Sequence, residues 1–270
     1  MMRTVGAFVL ATLLATSPVW ACESAQTQVS EVYPTGPELP ENLLRFYVYF
    51  SAPMGQGDIL DHVELLDEAG NALPDVFLPS RYELWSSDRT RLTVLLDPGR
   101  VKTGLVANRA LGRALVSGAK YSLRISSGVR DENNCPLLAD HVKSFTAVTA
   151  DVASPLPENW ELALPTAGTR APLTIQLDGS VDHISLAYRI RVIGPDGDVI
   201  GGSIELGAAE THWHFKPTQP WQAATYQVSV DPLLEDLAGN RMDAVFDLDL
   251  TTAERPSTAA TAQYIAFVPQ

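Results

Sequence analysis

Cysteine, positive charge and long apolar runs are all scarce in this chain of 270 residues. Two cysteines cannot by themselves supply the four ligands of a zinc knuckle. Lysine and arginine number 19 against 32 aspartates and glutamates, which gives a net charge of −13. So acidic a chain is a poor partner for phosphate backbones, and we expect no nucleic-acid binding. After residue 21, no stretch reaches the ~18 apolar residues of a transmembrane helix.

Glycine and proline are plentiful, with 18 and 19 residues, and 46% of the chain is apolar. The apolar share suffices for a packed core, and frequent turn residues favour short strands over helices. In residues 44–50, Leu44, Phe46, Val48 and Phe50 alternate with other residues and share one face. This period of two is typical of a half-buried strand. The sequence therefore predicts an all-β fold.

The predicted strands fall into two consecutive sets. The first contains residues 44–50, 63–66, 92–96, 121–125 and 143–149, and the second contains residues 173–177, 184–192, 199–206, 212–215, 226–230 and 246–250. One helix is predicted at residues 106–115, where Val106, Leu111 and Leu115 could share an apolar stripe.

The two sets repeat one another. Residues 121–131 align without gaps on residues 226–236, and in both a Tyr-led strand reaches an aspartate ten residues later. A repeat of ~100 residues indicates tandem domains, because solenoid periods are ~20–50 residues. Residues 151–158 break both patterns and carry two prolines, so we place the domain boundary there.

Short motifs mark both units. They are Tyr33-Pro34, Phe50-Ser51-Ala52-Pro53-Met54, Arg91-Leu92-Thr93 and Gly118-Ala119-Lys120-Tyr121-Ser122-Leu123, and in the second unit Leu234-Glu235-Asp236-Leu237-Ala238-Gly239-Asn240. With these motifs the chain resembles the bacterial Ig-like domains of S-layer and other surface proteins. The resemblance implies two tandem Ig-like β-sandwiches, at residues 27–150 and 155–253, followed by a tail, 254–270, that could add a strand. It implies no catalytic residues, because such sandwiches serve as spacers, adhesion modules and enzyme accessory domains.

Residues 1–21 are predicted to be a cleaved secretory signal. Arg3 supplies the positive start, residues 5–15 form an uncharged apolar run, and Val19 and Ala21 fit the −3 and −1 positions of a cut after Ala21. We therefore expect an exported protein, in the periplasm or at the outer membrane surface.

The predicted cut leaves Cys22 as the new N-terminus. The sequence before it, Val19-Trp20-Ala21, is similar to the lipobox of bacterial lipoproteins, although tryptophan replaces the usual small residue. Lipidation would tether the protein to a membrane. Alternatively, Cys22 forms a disulfide with Cys135, since export leads to an oxidising compartment. The two outcomes exclude one another, because a thioether-linked sulfur cannot form a disulfide.

Residues 97–118 form an insertion in the first unit that is basic within an acidic protein. It carries Arg100, Lys102, Arg109 and Arg113. Long insertions in compact domains are often functional, so these residues are candidate contacts for an anionic partner or for a neighbouring domain. The alternative is a loop that covers a sheet edge.

Tyr47 and Tyr49 fall on the face of their predicted strand opposite the apolar stripe. Exposed aromatic side chains dominate many contacts with sugars and proteins. The pair is therefore a candidate contact for a protein or an envelope glycan. Cross-strand packing on the sheet surface is the alternative.

His212 and His214 are the best candidates for a metal site. Two positions apart on a strand, they share one face about 6–7 Å apart. A third ligand such as His183 or Glu210 would be needed for a transition metal. The repeat alignment places Trp213 in the core, so two exposed histidines without metal are the alternative.

Two acidic turns, residues 131–134 and 235–240, could bind calcium through their side-chain oxygens. Neither has the spacing of an EF-hand loop. Aspartate and asparagine also stabilise turns by binding their own backbone, which is the structural alternative.

No Gly-x-Ser-x-Gly elbow and no nucleotide-binding glycine loop occurs in the sequence. We expect an exported cell-envelope binding or scaffold module without catalytic activity and without a required cofactor. The alternatives are a periplasmic metal-binding protein that uses His212 and His214, and a secreted hydrolase or its accessory domain.

Overall fold

The computed structural model describes residues 22, 27–57, 59–79, 83–102, 105–246 and 261–270. The predicted signal 1–21 and all but the first residue of the predicted strand 246–250 lie outside the described residues. In the described part, strands dominate and form two tandem Ig-like β-sandwiches, which confirms the predicted fold class. None of the helices in these ranges has the length and apolar character needed to cross a membrane.

The first sandwich packs two four-stranded sheets against each other, counted over the described residues. Its strands are β1 (Val29–Tyr33), β2 (Glu38–Pro40), β3 (Arg45–Phe50), β4 (Val63–Asp67), β5 (Leu84–Trp85), β6 (Arg91–Leu95), β7 (Lys120–Ile125) and β8 (His141–Val148). One sheet has the order β1-β3-β6-β5 and the other the order β2-β8-β7-β4. Only β2 and β8 run parallel among these pairs. As predicted, Phe46, Val48 and Phe50 of β3 enter the core.

The second sandwich has its own core and, within the described residues, seven strands. They are β9 (Glu161–Ala163), β10 (Leu173–Gln176), β11 (Ile190–Ile193), β12 (Gly202–Leu206), β13 (His212–Pro217), β14 (Tyr226–Val230) and β15 (Gln263–Phe267). The sheet orders are β12-β13-β10-β9 and β11-β14-β15. The C-terminal tail thus supplies β15, whose Phe267 packs into the second core.

The prediction of one strand over residues 184–192 is wrong for its first part. A short helix, α3 (His183–Arg189), precedes β11. The Asp182 side chain accepts a hydrogen bond from the backbone N of Ser185. Such a cap satisfies a donor that the first helical turn leaves open, and this stabilises helix over strand.

The helix predicted at residues 106–115 is shorter than expected. The insertion contains α1 (Pro98–Val101) and α2 (Val106–Leu111). Gly112 follows α2 with a φ of 77°, a positive value that favours glycine. Val106 is 83% exposed and Leu111 57% exposed, so they do not form a buried stripe. Leu115 is buried but lies beyond the helix.

The sequence repeat corresponds to two matching turns. The Oδ1 atom of Asp131 accepts the backbone N–H groups two and four residues further on, and Oδ1 of Asp236 does the same. The third residue after each aspartate has a positive φ, 64° at Asn134 and 79° at Gly239. In both predicted calcium loops, the aspartate is therefore engaged in shaping its own turn.

Candidate functional site

The two sandwiches meet between β3 of the first and the start of α3 in the second. The Tyr47 hydroxyl donates to the Asp182 carboxylate, 2.8 Å from Oδ2. Arg45 lies beside this pair, with Nε 3.8 Å from the same Oδ2. The Arg45 guanidinium also binds Glu235, at 2.5 Å between Nη2 and Oε2. Both partners of Arg45 belong to the second sandwich, so these contacts fix one sandwich against the other.

The expected exposure of Tyr47 is wrong, while Tyr49 is half-buried and the partner contact of this pair stays a prediction. Tyr47 is only 5% exposed, and the Tyr49 hydroxyl lies 3.0 Å from Nε2 of His183. The ring of Tyr33 stacks on the His183 ring, with centroids 3.5 Å apart. The residues do face away from the first core, but the second sandwich covers that face.

Burial changes the acidity of the groups at this contact. It raises the pKa of Asp182, with the Arg45 charge acting in the opposite direction. Burial also raises the pKa of Tyr47, and the negative charge of Asp182 raises it further. Burial lowers the pKa of His183 to about 4, and the positive charge of Arg91 contributes. At neutral pH, His183 is therefore an uncharged ring between tyrosines.

A second polar contact crosses the boundary at Glu210, which is fully buried. Thr35 of the first sandwich donates to its carboxylate from the backbone N, at 3.0 Å, and from Oγ1, at 2.7 Å. The Thr35 hydroxyl in turn accepts from the backbone N of Ala209 at 2.9 Å. Ala209 and Glu210 have φ angles of 56° and 54°, a left-handed conformation that non-glycine residues rarely adopt. The surrounding contacts therefore hold the carboxylate toward Thr35 at a conformational cost.

Burial raises the pKa of Glu210, and the hydrogen bonds from Thr35 oppose this shift. Lys143 is the neighbouring cation, and its Nζ donates to the Thr35 carbonyl oxygen at 3.2 Å. Burial lowers the pKa of Lys143, while the Glu210 charge acts to raise it. The first sandwich thus supplies both hydrogen bonds and compensating charge to a buried acid of the second.

The loop after β14 enters the first sandwich. Leu237 packs within the first core, and its carbonyl oxygen accepts from the backbone N of Leu44 at 3.1 Å. Gly239 approaches so closely that an added Cβ would lie 2.3 Å from Cδ1 of Leu44. A glycine is required here both by this contact and by its positive φ.

The segment between the sandwiches is fixed from both sides. The carbonyl oxygen of Asp151 accepts from Asn42 Nδ2 at 2.7 Å and from Asn240 Nδ2 at 3.1 Å. Asn42 belongs to the first sandwich and Asn240 to the second, and both are fully buried. The connection is therefore part of the packed contact.

An open groove of about 430 Å³ runs along this contact. The first sandwich contributes Arg45 and Tyr47, and the second contributes residues of α3 and of the loop after β14, including Tyr188, Glu235 and Arg241. Tyr188 is 60% exposed although it is a large aromatic residue. The groove exists only when the sandwiches are docked.

Arg100 of the basic insertion is engaged within the chain. Its guanidinium donates to five backbone carbonyl oxygens, with distances from 2.9 Å at Pro74 to 3.4 Å at Leu111. It therefore ties α1, α2 and the segment before β5 together. The contact that we predict between Arg100 and an outside partner stays a prediction, and the structure shows these donors bound within the chain.

Two further basic residues of the insertion also contact the chain itself. Lys102 Nζ lies 3.9 Å from the ring centroid of Phe246, and Arg113 Nε lies 3.7 Å from Oε1 of Glu41. Arg109 is exposed. The exposed surface of α2 therefore carries Val106 and Leu111 beside Arg109.

His212 and His214 lie on one face of β13, as predicted, with parallel rings whose centroids are 6.1 Å apart. Each Nδ1 is hydrogen-bonded to a threonine hydroxyl, Thr211 for His212 and Thr174 for His214. Parallel rings at this distance do not converge on one ion. The suggested third ligands, His183 and Glu210, instead face the first sandwich.

In the part of the chain that the structure describes, no three His, Cys, Asp or Glu side chains form a group that could hold a metal ion. Cys22 and Cys135 form a disulfide, with Cα atoms 5.7 Å apart. This bond connects the start of the predicted mature chain to the Asp131 turn.

Sequence reasoning made no functional prediction for Asp182, and it suggested Asn240 only within a calcium turn and Glu210 only as a metal ligand. Asp182 could have been found as a helix cap, from its position three residues before Ser185. Glu210 carries no comparable signal, because its partner Thr35 lies 175 residues away. Only the docking of the sandwiches brings these groups together.

Comparisons with known proteins give structural likeness at low identity. No protein-family model matches the chain, and no curated protein matches it. The MG0-NIE-MG1 region of alpha-2-macroglobulin from Escherichia coli is 12% identical, with a TM-score of 0.29, over 91% of this chain and 72% of that one. The N-terminal part of the bacterial S-layer protein SbsC is 14% identical, with a TM-score of 0.32, over 91% of this chain and 44% of that one. We infer no shared function from these likenesses.

Proposed function

We propose that this protein is an exported, non-catalytic scaffold module of the cell envelope that holds its two sandwiches in one fixed orientation. The observation that carries the proposal is the pair of buried carboxylates, Asp182 and Glu210, that take hydrogen bonds from Tyr47 and Thr35 of the other sandwich. A flexible tether between two independent domains would need none of these contacts.

The chemistry of this contact favours a single docked arrangement. A buried carboxylate without a hydrogen-bond partner costs ~1–3 kcal/mol or more, so a shifted orientation that separates Asp182 from Tyr47 is disfavoured. Apolar contact alone would tolerate sliding, whereas directional bonds do not. Leu237 adds the apolar part of the contact by packing in the first core.

Export is supported by the predicted signal and by the disulfide. A bond between Cys22 and Cys135 is expected in an oxidising compartment and is rare in the cytosol. The intact mass of the native protein distinguishes the alternatives at Cys22. We expect the mass of the chain from Cys22 onward minus two hydrogens, whereas a lipid-sized increase would mean a lipoprotein and would contradict the disulfide.

Small-angle X-ray scattering of the native protein tests the fixed orientation. We expect the wild-type curve to fit the docked pair of sandwiches as one shape. A double variant, Tyr47→Ala with Glu210→Ala, should scatter as a more extended particle. The matched control is Tyr264→Ala with Glu205→Ala, because both residues lie on exposed strands of the second sandwich. A wild-type curve that requires a broad range of orientations would contradict the proposal.

A further inference from the structure

We propose that the groove between the two sandwiches binds a carboxylate-bearing sugar, such as a uronic acid unit of a polysaccharide. This inference rests on the proposed function, because both sandwiches form the groove walls. Clefts between domains are common places for ligand sites, since two surfaces enclose a ligand better than one. A volume of about 430 Å³ accommodates a few sugar units.

Arg241 supplies the charge for a carboxylate. The other two arginines of the groove have acidic partners, Arg45 with Glu235 at 2.5 Å and Arg189 with Asp231 at 3.0 Å. Among the residues that the structure describes, Arg241 has no side-chain partner. A guanidinium binds a carboxylate through two parallel N–H donors, which gives both strength and orientation.

Tyr188 supplies the surface for a sugar ring. It is the exposed aromatic of the groove, at 60% exposure, and it directly precedes Arg189 on α3. An aromatic ring offers a flat apolar face, and a sugar ring presents a matching face of C–H groups. A pyranose packed on Tyr188 would leave its hydroxyls and its carboxylate directed to the groove walls.

The polar walls favour a sugar over a peptide. Arg45 offers donors and Glu235 offers an acceptor, which is the mixture that sugar hydroxyls need because each both donates and accepts. Apart from the tyrosines Tyr47 and Tyr188, the groove's apolar residues are Ile184 and the exposed Leu233, too few to form a pocket for a peptide's apolar side chains.

Calorimetric titration of the full mature protein with trigalacturonate tests the site. We expect saturable binding in the wild type, at least tenfold weaker binding in Arg241→Ala and in Tyr188→Ala, and intermediate affinity in Arg241→Lys, which keeps the charge but loses the planar fork. The neutral galactose trimer should bind at least tenfold more weakly than trigalacturonate. Tyr264→Ala and Arg130→Ala are matched controls and should bind like the wild type, because both residues are exposed and lie outside the groove.

Four outcomes would overturn the proposal. The first is that a wild type whose scattering shows docked sandwiches gives no saturable binding, and the second is that both groove variants keep the wild-type affinity. The third is that the neutral trimer binds as tightly as trigalacturonate, and the fourth is that an equal concentration of trialanine displaces the sugar. Because Tyr188 and Arg241 have no side-chain hydrogen bonds among the described residues, their variants should keep the wild-type melting temperature. Scattering that shows undocked sandwiches would instead contradict the proposed function, and the two failures are therefore distinguishable.

Discussion

The hydroxyl of Tyr47 and the carboxylate of Asp182 form a 2.8 Å hydrogen bond between two separate β-sandwiches. Both residues are buried, and Arg45 lies against the same carboxylate. This one pair of side chains therefore affects the pKa values at the contact, the relative orientation of the two sandwiches and the stability of the protein.

Tyr47→Phe removes the donor and leaves the rest of the ring in place. We expect the free energy of unfolding to fall by about 1–3 kcal/mol, because Asp182 then loses a partner inside the molecule. Urea denaturation measures this change, with Tyr264→Phe as a control at an exposed tyrosine. In a double-mutant cycle with Asp182→Asn, coupling near zero would show that the bond does not contribute.

Glu210→Ala should destabilise the protein more than Glu210→Gln. Alanine leaves the backbone N–H and the hydroxyl of Thr35 without an acceptor, whereas glutamine retains one oxygen. We expect a loss of about 2–4 kcal/mol for alanine and about half of that for glutamine. Glu205→Ala, on an exposed strand, should change stability by less than about 0.5 kcal/mol. Equal and small losses for both Glu210 variants would mean that this contact is not formed in solution.

His183 should make the contact weaker in acid. Its pKa is about 4 in the folded protein, mainly through burial, against an ordinary value of 6.5. The unfolded chain therefore binds more protons between these two values, so this contribution to stability is complete above pH 6.5 and is lost as the pH falls toward 4. The slope reaches at most about 1.4 kcal/mol per pH unit.

The comparison with His183→Gln isolates this residue, because the amide keeps a partner for Tyr49 and does not titrate. The difference in unfolding free energy between wild type and variant should shrink as the pH falls from 7 to 4.5. The acids Asp182 and Glu210 have raised pKa values and act in the opposite direction, but they are present in both proteins. A difference that stays constant with pH would contradict the buried, neutral state of His183.

Arg100 should protect the insertion from proteases. Arg100→Ala removes hydrogen bonds to five backbone carbonyls, so we expect faster cleavage within residues 97–118 at little cost to the sandwiches. Val106→Ala is the matched control, since Val106 is 83% exposed on α2 of the same insertion. Chymotrypsin is the protease to use, because it does not cleave after arginine and the substitution therefore removes none of its sites. Identical rates for both variants would show that Arg100 does not hold the insertion.

The sequence predicted the sandwiches better than the contact between them. Alternation correctly places Phe46 and Val48 in a core, because successive residues of a strand point to opposite faces. The same pattern places Tyr47 on the opposite face but cannot say whether water or another domain covers it. The strand predicted over residues 184–192 failed because the Asp182 cap overrides a short alternating pattern.

The basic insertion and Glu210 show the same dependence on partners that are distant in sequence. Arg100 and Lys102 make the insertion basic in sequence. In the structure, Arg100 donates to backbone carbonyl oxygens and Lys102 contacts the ring of Phe246. Glu210 shows no local signal because its partner is distant in sequence. Spacing along one strand correctly predicted the shared face of His212 and His214, but it could not predict that their rings lie parallel.

Differential scanning calorimetry of the native protein tests the fixed docking of the sandwiches most directly. We predict one unfolding transition whose calorimetric and van't Hoff enthalpies agree, because Tyr47–Asp182 and Thr35–Glu210 couple the two cores. The variant Tyr47→Ala with Glu210→Ala should separate this into two transitions. Two transitions in the wild type, each with the ~60–80 kcal/mol of an independent domain of ~100 residues, would contradict it.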